Sequence, residues 1–195
     1  MKKWMTLIAA ALILTLPGCT GKETEAPPTT FETTIPYEPT VLTTIPPKEY
    51  PETIEEEILV EGEPDRLKMN LFDGGNYVVY IPEGAWIQET LLEDGLLTDR
   101  WTYEINENLT FTVTSCGNLT AEEAEQLFTE KYGENFRKEE EGHYSISDPG
   151  MQTFQSLYLT SDGKNTFALH TRMPVEFGDG FSPRFQAMRN SFEIK

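Results

Sequence analysis

Residues Arg66 to Pro82 read RLKMNLFDGGNYVVYIP, and how that stretch divides decides the kind of fold. Leu67, Met69 and Leu71 alternate with Arg66, Lys68 and Asn70. A strand sends successive side chains to opposite faces, so the alternation predicts a strand with one buried face. Asp73-Gly74-Gly75-Asn76 breaks the run, and Tyr77 to Ile81 is β-branched and aromatic up to Pro82. Two such runs around turn residues predict an antiparallel hairpin.

The same reading extends along the chain. Arg100 to Ile105 and Leu109 to Cys116 predict strands around Asn106-Glu107-Asn108, whereas Ile87 to Thr98 fits either a strand or a short helix. Thr120 with Glu123 three residues on forms a capping box, and Ala124, Leu127, Phe128 and Tyr132 recur at helical spacing, which predicts a helix over 121–132. Glu139-Glu140-Glu141 reads as a solvated turn and Tyr144 to Ser147 as a short strand. Gln152 to Thr160 and Asn165 to Arg172 flank Ser161-Asp162-Gly163-Lys164, a second hairpin signal. Ser182 as N-cap with Pro183 in the first turn predicts a last helix ending near Asn190, with Phe192 and Ile194 packing back. The expected class is α+β: a mostly antiparallel, twisted sheet of about six to seven strands flanked by two or three helices.

Charge narrows the function. The 195 residues hold 15 Lys and Arg against 33 Asp and Glu, a formal net charge of -18. Nucleic-acid binding needs a basic footprint that displaces phosphate counterions, so DNA and RNA are excluded as partners.

The N-terminus carries a second signal. Lys2 and Lys3 precede an apolar run from Thr6 to Leu16, then Pro17-Gly18-Cys19. That run is too short for a bilayer core of ~30 Å but fits the apolar region of an export signal. Leu16-Pro17-Gly18-Cys19 resembles the lipobox of bacterial lipoproteins, departing from it only at Pro17. The resemblance implies removal of residues 1–18 and acylation of Cys19, whose lipid would anchor the chain in the membrane without spanning it. From Cys19 to residue 55 the chain is rich in Thr, Pro and Glu and reads as a disordered stalk. Residues 56–195 are then expected to form one globular domain. The expected location is the extracytoplasmic face of the cell membrane, and so long a stalk suits a Gram-positive wall better than a Gram-negative envelope.

Conventional chemistry finds little purchase. Only His143 and His170 are available as imidazoles, and no HxH, HExxH or Cys/His cluster accompanies them. His170 shares a strand face with Ala168 and Arg172, opposite Phe167 and Leu169, and reads as a partly exposed structural residue. The Gly-rich stretches at 73–76 and 178–180 lack phosphate-cradle spacing and read as turns. With Cys19 lipidated, Cys116 has no intramolecular partner and reads as a buried small hydrophobe. Trp86, Trp101, Tyr77, Tyr80 and Tyr103 fit either a core or a sugar-stacking patch, with the core favoured. No catalytic, cofactor-binding or metal-binding residue is assigned; Cys19, as a lipidation site, is the one site residue.

Tyr77 to Pro82 followed by Trp86, and Arg184 to Met188 running into Ser191-Phe192-Glu193-Ile194, are similar to members of the Mog1/PsbP-like group. The resemblance implies an antiparallel sheet flanked by helices and a non-catalytic binding or accessory role, and no partner-contacting residue carries over. The expected function is therefore a membrane-anchored binding module for an unidentified envelope or extracellular protein or glycan, without cofactor. Two alternatives stay open: a glycan hydrolase using paired carboxylates, and a purely structural surface protein.

Overall fold

The computed structural model describes residues 48–195 apart from 149 and 151. The predicted signal peptide, Cys19 and the stalk up to residue 47 lie outside the described residues. In chain order the elements are β1 (Thr53–Val60), β2 (Glu63–Asp73), β3 (Tyr77–Pro82), β4 (Trp86–Glu93), β5 (Leu96–Tyr103), β6 (Asn106–Ser115), α1 (Ala121–Tyr132), β7 (Phe136–Glu140), β8 (His143–Ile146), β9 (Thr153–Ser161), β10 (Thr166–Pro174), α2 (Gly178–Asn190) and β11 (Glu193–Ile194). Among the described residues the class is α+β, with two α-helices and two antiparallel sheets. One sheet has four strands in the order β1-β2-β3-β11, and the other has seven in the order β4-β5-β6-β10-β9-β8-β7.

Turn chemistry sets much of this order. The expected hairpin forms between β2 and β3, with Phe72 opposite Val79. Gly74 is required there, since a Cβ at that position would lie 2.2 Å from the Tyr77 ring. The stretch that fitted either strand or helix, 87–98, folds as two strands joined at Asp94-Gly95, whose φ values of 52° and 81° are both positive. Two consecutive positive φ angles match the twist of a tight hairpin, which fixes the β4-β5 register. Glu61 and Gly62 make the same kind of turn between β1 and β2, with φ of 53° and 86°.

Three segments depart from expectation. Pairing starts at Thr53, ahead of the boundary expected at 56, and the preceding residues are fastened too: Leu71 N donates to Glu52 O and Tyr80 Oη to Pro51 O, both at 2.9 Å. Glu139 and Glu140 belong to the edge strand β7 rather than a turn, because pairing with β8 needs only their backbone while their side chains face solvent. The last helix begins at Gly178, not at Pro183, and Pro183 lies within it. Phe177, Phe181 and Phe185 explain the earlier start: they pack in succession, with ring centroids 5.9 and 6.1 Å apart, and draw the glycine-containing turn into the helix.

The seven-stranded sheet is the central layer. Leu109, Phe111 and Val113 of β6 and Phe167 and Leu169 of β10 share one core with Leu67 and Met69 of β2, Val79 of β3, and Phe185 and Met188 of α2. Cys116, Leu157 and Ala168 belong to a second cluster with Ala124 and Phe128 of α1. Alternation along β10 therefore separates two faces: Phe167 and Leu169 point to α2 and the small sheet, Ala168 and His170 to the α1 side. Helix α1 packs over β9 and β7.

Candidate functional site

Helix α1 is seated by the capping box read from the sequence, with Thr120 N donating to Glu123 Oε2 at 2.8 Å and Glu123 N to Thr120 Oγ1 at 3.2 Å. Beside it, the α1-side face of β5, β6 and β10 presents a groove. Register assembles its floor: Arg100, Thr112, His170 and Leu157 lie in one cross-strand row, and Thr102, Thr110, Arg172 and Gln155 in the next.

The groove has two compartments that share Arg100, Thr112, Tyr132 and His170. Under α1 is a cavity of about 460 Å³ whose apolar lining is Leu96, Leu127, Phe128, Leu157 and Ala168, and which Glu93, Asp94, Glu130 and Lys131 also border. Beyond it is a wider, polar hollow of about 840 Å³ that includes Glu107, Asn108, Asn135, Asp148, Gln155 and Arg172. Lys131 of α1 reaches Asp94 in the β4-β5 turn at 2.7 Å and ties the helical wall to the sheet.

The charges on the floor differ in how they are satisfied. Arg100 is gripped by Glu93 and by Glu89, the latter at 3.4 Å. Arg172 makes no ion pair among the described residues, and its Nε, shielded from solvent, has no hydrogen-bond partner there. His170 Nε2 lies 3.2 Å from Gln155 Oε1. Burial pushes His170 down to about 4, and the positive charges of Arg172, Lys131 and Arg100 act in the same direction. The imidazole is therefore neutral at pH 7. Burial also pushes the Tyr132 phenol up.

The other residues singled out from the sequence lie elsewhere. Cys19 is outside the described residues. His143 pairs with Tyr158 across β8 and β9, on the opposite sheet face from His170, and stacks on that ring at 4.2 Å. Cys116 is buried, and burial pushes its thiol up to about 11. Tyr77, Tyr80 and Trp101 are core residues; Trp86 and Tyr103 are half-buried and pack against Phe181 of α2 rather than forming a stacking surface. Among the described residues no group of three His, Cys, Asp or Glu side chains is placed to hold a metal ion, and no helix is long and apolar enough to cross a membrane. Sequence reading placed Ala168, His170 and Arg172 on one face but missed the groove they share with Arg100 and the β6 threonines.

No protein-family model matches the chain. No curated protein matches it either. Among solved structures it is similar to the solution structure of cyanobacterial PsbP (CyanoP) from Synechocystis sp. PCC 6803, with a TM-score of 0.47 and 12% identity over 65% of this chain and 92% of that one.

Proposed function

We propose that the protein is a lipoprotein anchored through acylated Cys19 to the extracytoplasmic face of the cell membrane, and that its globular domain is a non-catalytic binding module for an envelope or extracellular protein or glycan. The groove carries this reading. A half-buried guanidinium without an ion pair among the described residues lies beside a cavity with apolar walls, and a pocket combining apolar walls with a few convergent polar groups is the usual form of a ligand site.

Two measurements test the proposal. Radiolabelled palmitate should enter the wild-type chain in bacterial cells and not a Cys19→Ala chain; equal labelling of both removes the anchor. In ligand-observed NMR with soluble envelope extracts, the full chain should broaden specific signals that a Thr110→Arg chain, with the polar hollow filled, leaves sharp. Broadening untouched by Thr110→Arg would move binding away from the groove. Glycan cleavage abolished by Glu107→Gln or Asp148→Asn would make the protein a hydrolase instead.

A further inference from the structure

From the chemistry of the groove we infer its ligand class: a zwitterion with an apolar side chain, such as a short peptide with free termini, whose carboxylate sits on Arg172 and whose side chain enters the cavity under α1. This rests on the proposed reading of the groove as a binding site.

Three observations point to it. The first is the state of Arg172. Arg100 already has two carboxylates, Glu89 and Glu93, so its charge is met within the chain. Arg172 lines the same polar hollow with no ion pair among the described residues and with a shielded Nε lacking a partner. Its remaining guanidinium nitrogens carry the charge that the hollow offers, and a carboxylate is the group whose two oxygens match a guanidinium fork. In a chain of net charge -18, that cation stands out.

The second observation is the acid in the same hollow. Glu107 and Asp148 line it and form no salt bridge with a described lysine, arginine or histidine. A purely anionic ligand on Arg172 would meet these carboxylates unfavourably. A ligand that also carries an ammonium group turns both into partners, so the hollow is complementary to paired opposite charges rather than to an anion alone.

The third is the neighbouring cavity. Arg100, Thr112, Tyr132 and His170 border both compartments, so a ligand held in the polar hollow has direct access to the space beside Leu127, Phe128 and Leu157. At about 460 Å³ that space is ample for an aliphatic side chain. Burying one there supplies affinity that the charged contacts alone do not. His170, neutral and held by Gln155, adds no positive charge that would shift the balance back toward a simple anion.

The test is calorimetric titration of the full chain in detergent with four probes: the dipeptide leucyl-leucine, its C-terminal amide, its N-acetyl derivative and glycyl-glycine. Leucyl-leucine should saturate one site. Each of the other three, lacking the carboxylate, the ammonium or the apolar side chain, should bind about tenfold more weakly or worse. Arg172→Gln should abolish the preference for the free acid over the amide, and Arg172→Lys should restore part of it. Acid and amide binding wild type equally well would overturn the inference, as would no dipeptide binding at all; both comparisons use wild-type chain and need no variant to fold. If extract ligands still broaden in a groove-dependent way while every dipeptide fails, the ligand class falls and the binding module stands. If Thr110→Arg leaves all binding unchanged, the groove reading itself falls.

Discussion

The Tyr77 hydroxyl donates to Asp99 Oδ2 at 2.6 Å, and this one bond joins β3 of the small sheet to β5 of the large one. Both residues are buried, at 3% and 7% exposure. Asp99 also accepts from Thr90 Oγ1 at 2.6 Å, so the carboxylate is held from both sides. Its place is structural, in the core between the sheets, not in the groove on the far face.

Tyr77→Phe should therefore destabilise the domain by about 1–3 kcal/mol, the range for leaving a buried acceptor short of a donor. Urea unfolding followed by tryptophan fluorescence reads the difference directly. Burial and Asp99 both push the Tyr77 phenol up, well above the usual phenol range. In an alkaline titration monitored by tyrosinate absorbance, Tyr77 should thus stay protonated until the chain unfolds.

His170 gives a pH dependence of definite sign. Its folded-state pKa is depressed, to about 4 from an ordinary value of 6.5, so the folded state resists taking up the proton that the unfolded chain accepts. The resulting stability is whole above the unfolded pKa and is lost as pH falls from about 6.5 toward 4. Asp73, Asp94, Glu125, Asp162 and Glu193 are also lowered, by hydrogen bonds and ion pairs, and lose stability in the same direction. Comparing wild type with His170→Gln isolates the histidine: the wild-type chain should lose more stability over that window. In an NMR titration the His170 imidazole should show no midpoint near 6.5.

Cys116 should be inert in the folded chain. Its thiol is buried and pushed up to about 11, so thiolate is scarce at pH 8. In a Cys19→Ser chain, where Cys116 is the remaining thiol of the two, reaction with a chromogenic disulfide should be slow under native conditions and fast in urea. Fast native reaction would place the thiol in an open site.

Thr120→Ala removes the side-chain half of the α1 capping box and should cost about 1 kcal/mol of stability. Because α1 walls the cavity beneath it, the same variant should weaken ligands that use that compartment more than ligands held only in the polar hollow. Thermal melts and titrations on one preparation separate the two effects.

Local chemistry made some elements legible and left others hidden. Thr120 with Glu123 marked the start of α1 to the residue, because a capping box uses only neighbouring groups. Asp162-Gly163 marked the β9-β10 hairpin to within one or two residues at each strand end, and Asp162 Oδ1 there accepts from Lys164 N and Asn165 N. Strand β1 was hidden by its glutamates: Ile54, Ile58 and Val60 carry the buried side of a strand whose other positions mostly face water. The start of α2 was hidden because Gly178 and Gly180 disfavour helix locally, and only the packing of Phe177 and Phe181 against the fold overrides that. The groove was legible only in part, since Arg100, Thr112, Arg172 and Tyr132 come from four elements and meet through sheet register and helix docking.

The fastening of residues 48–52 bears on how the domain can be rewired. Lys48 and Tyr50 both engage Glu193, and Lys195 returns to Asp73 at 2.7 Å, so the start of the described chain and its end are within side-chain reach of one another. A protein fused after Lys195 will emerge next to Lys48, across the large sheet from the α1 groove. The same proximity makes the domain a near-closed circuit: a short linker joining the two ends, with a new opening at the exposed Asp162-Gly163 turn, should give a permuted chain with the same two sheets.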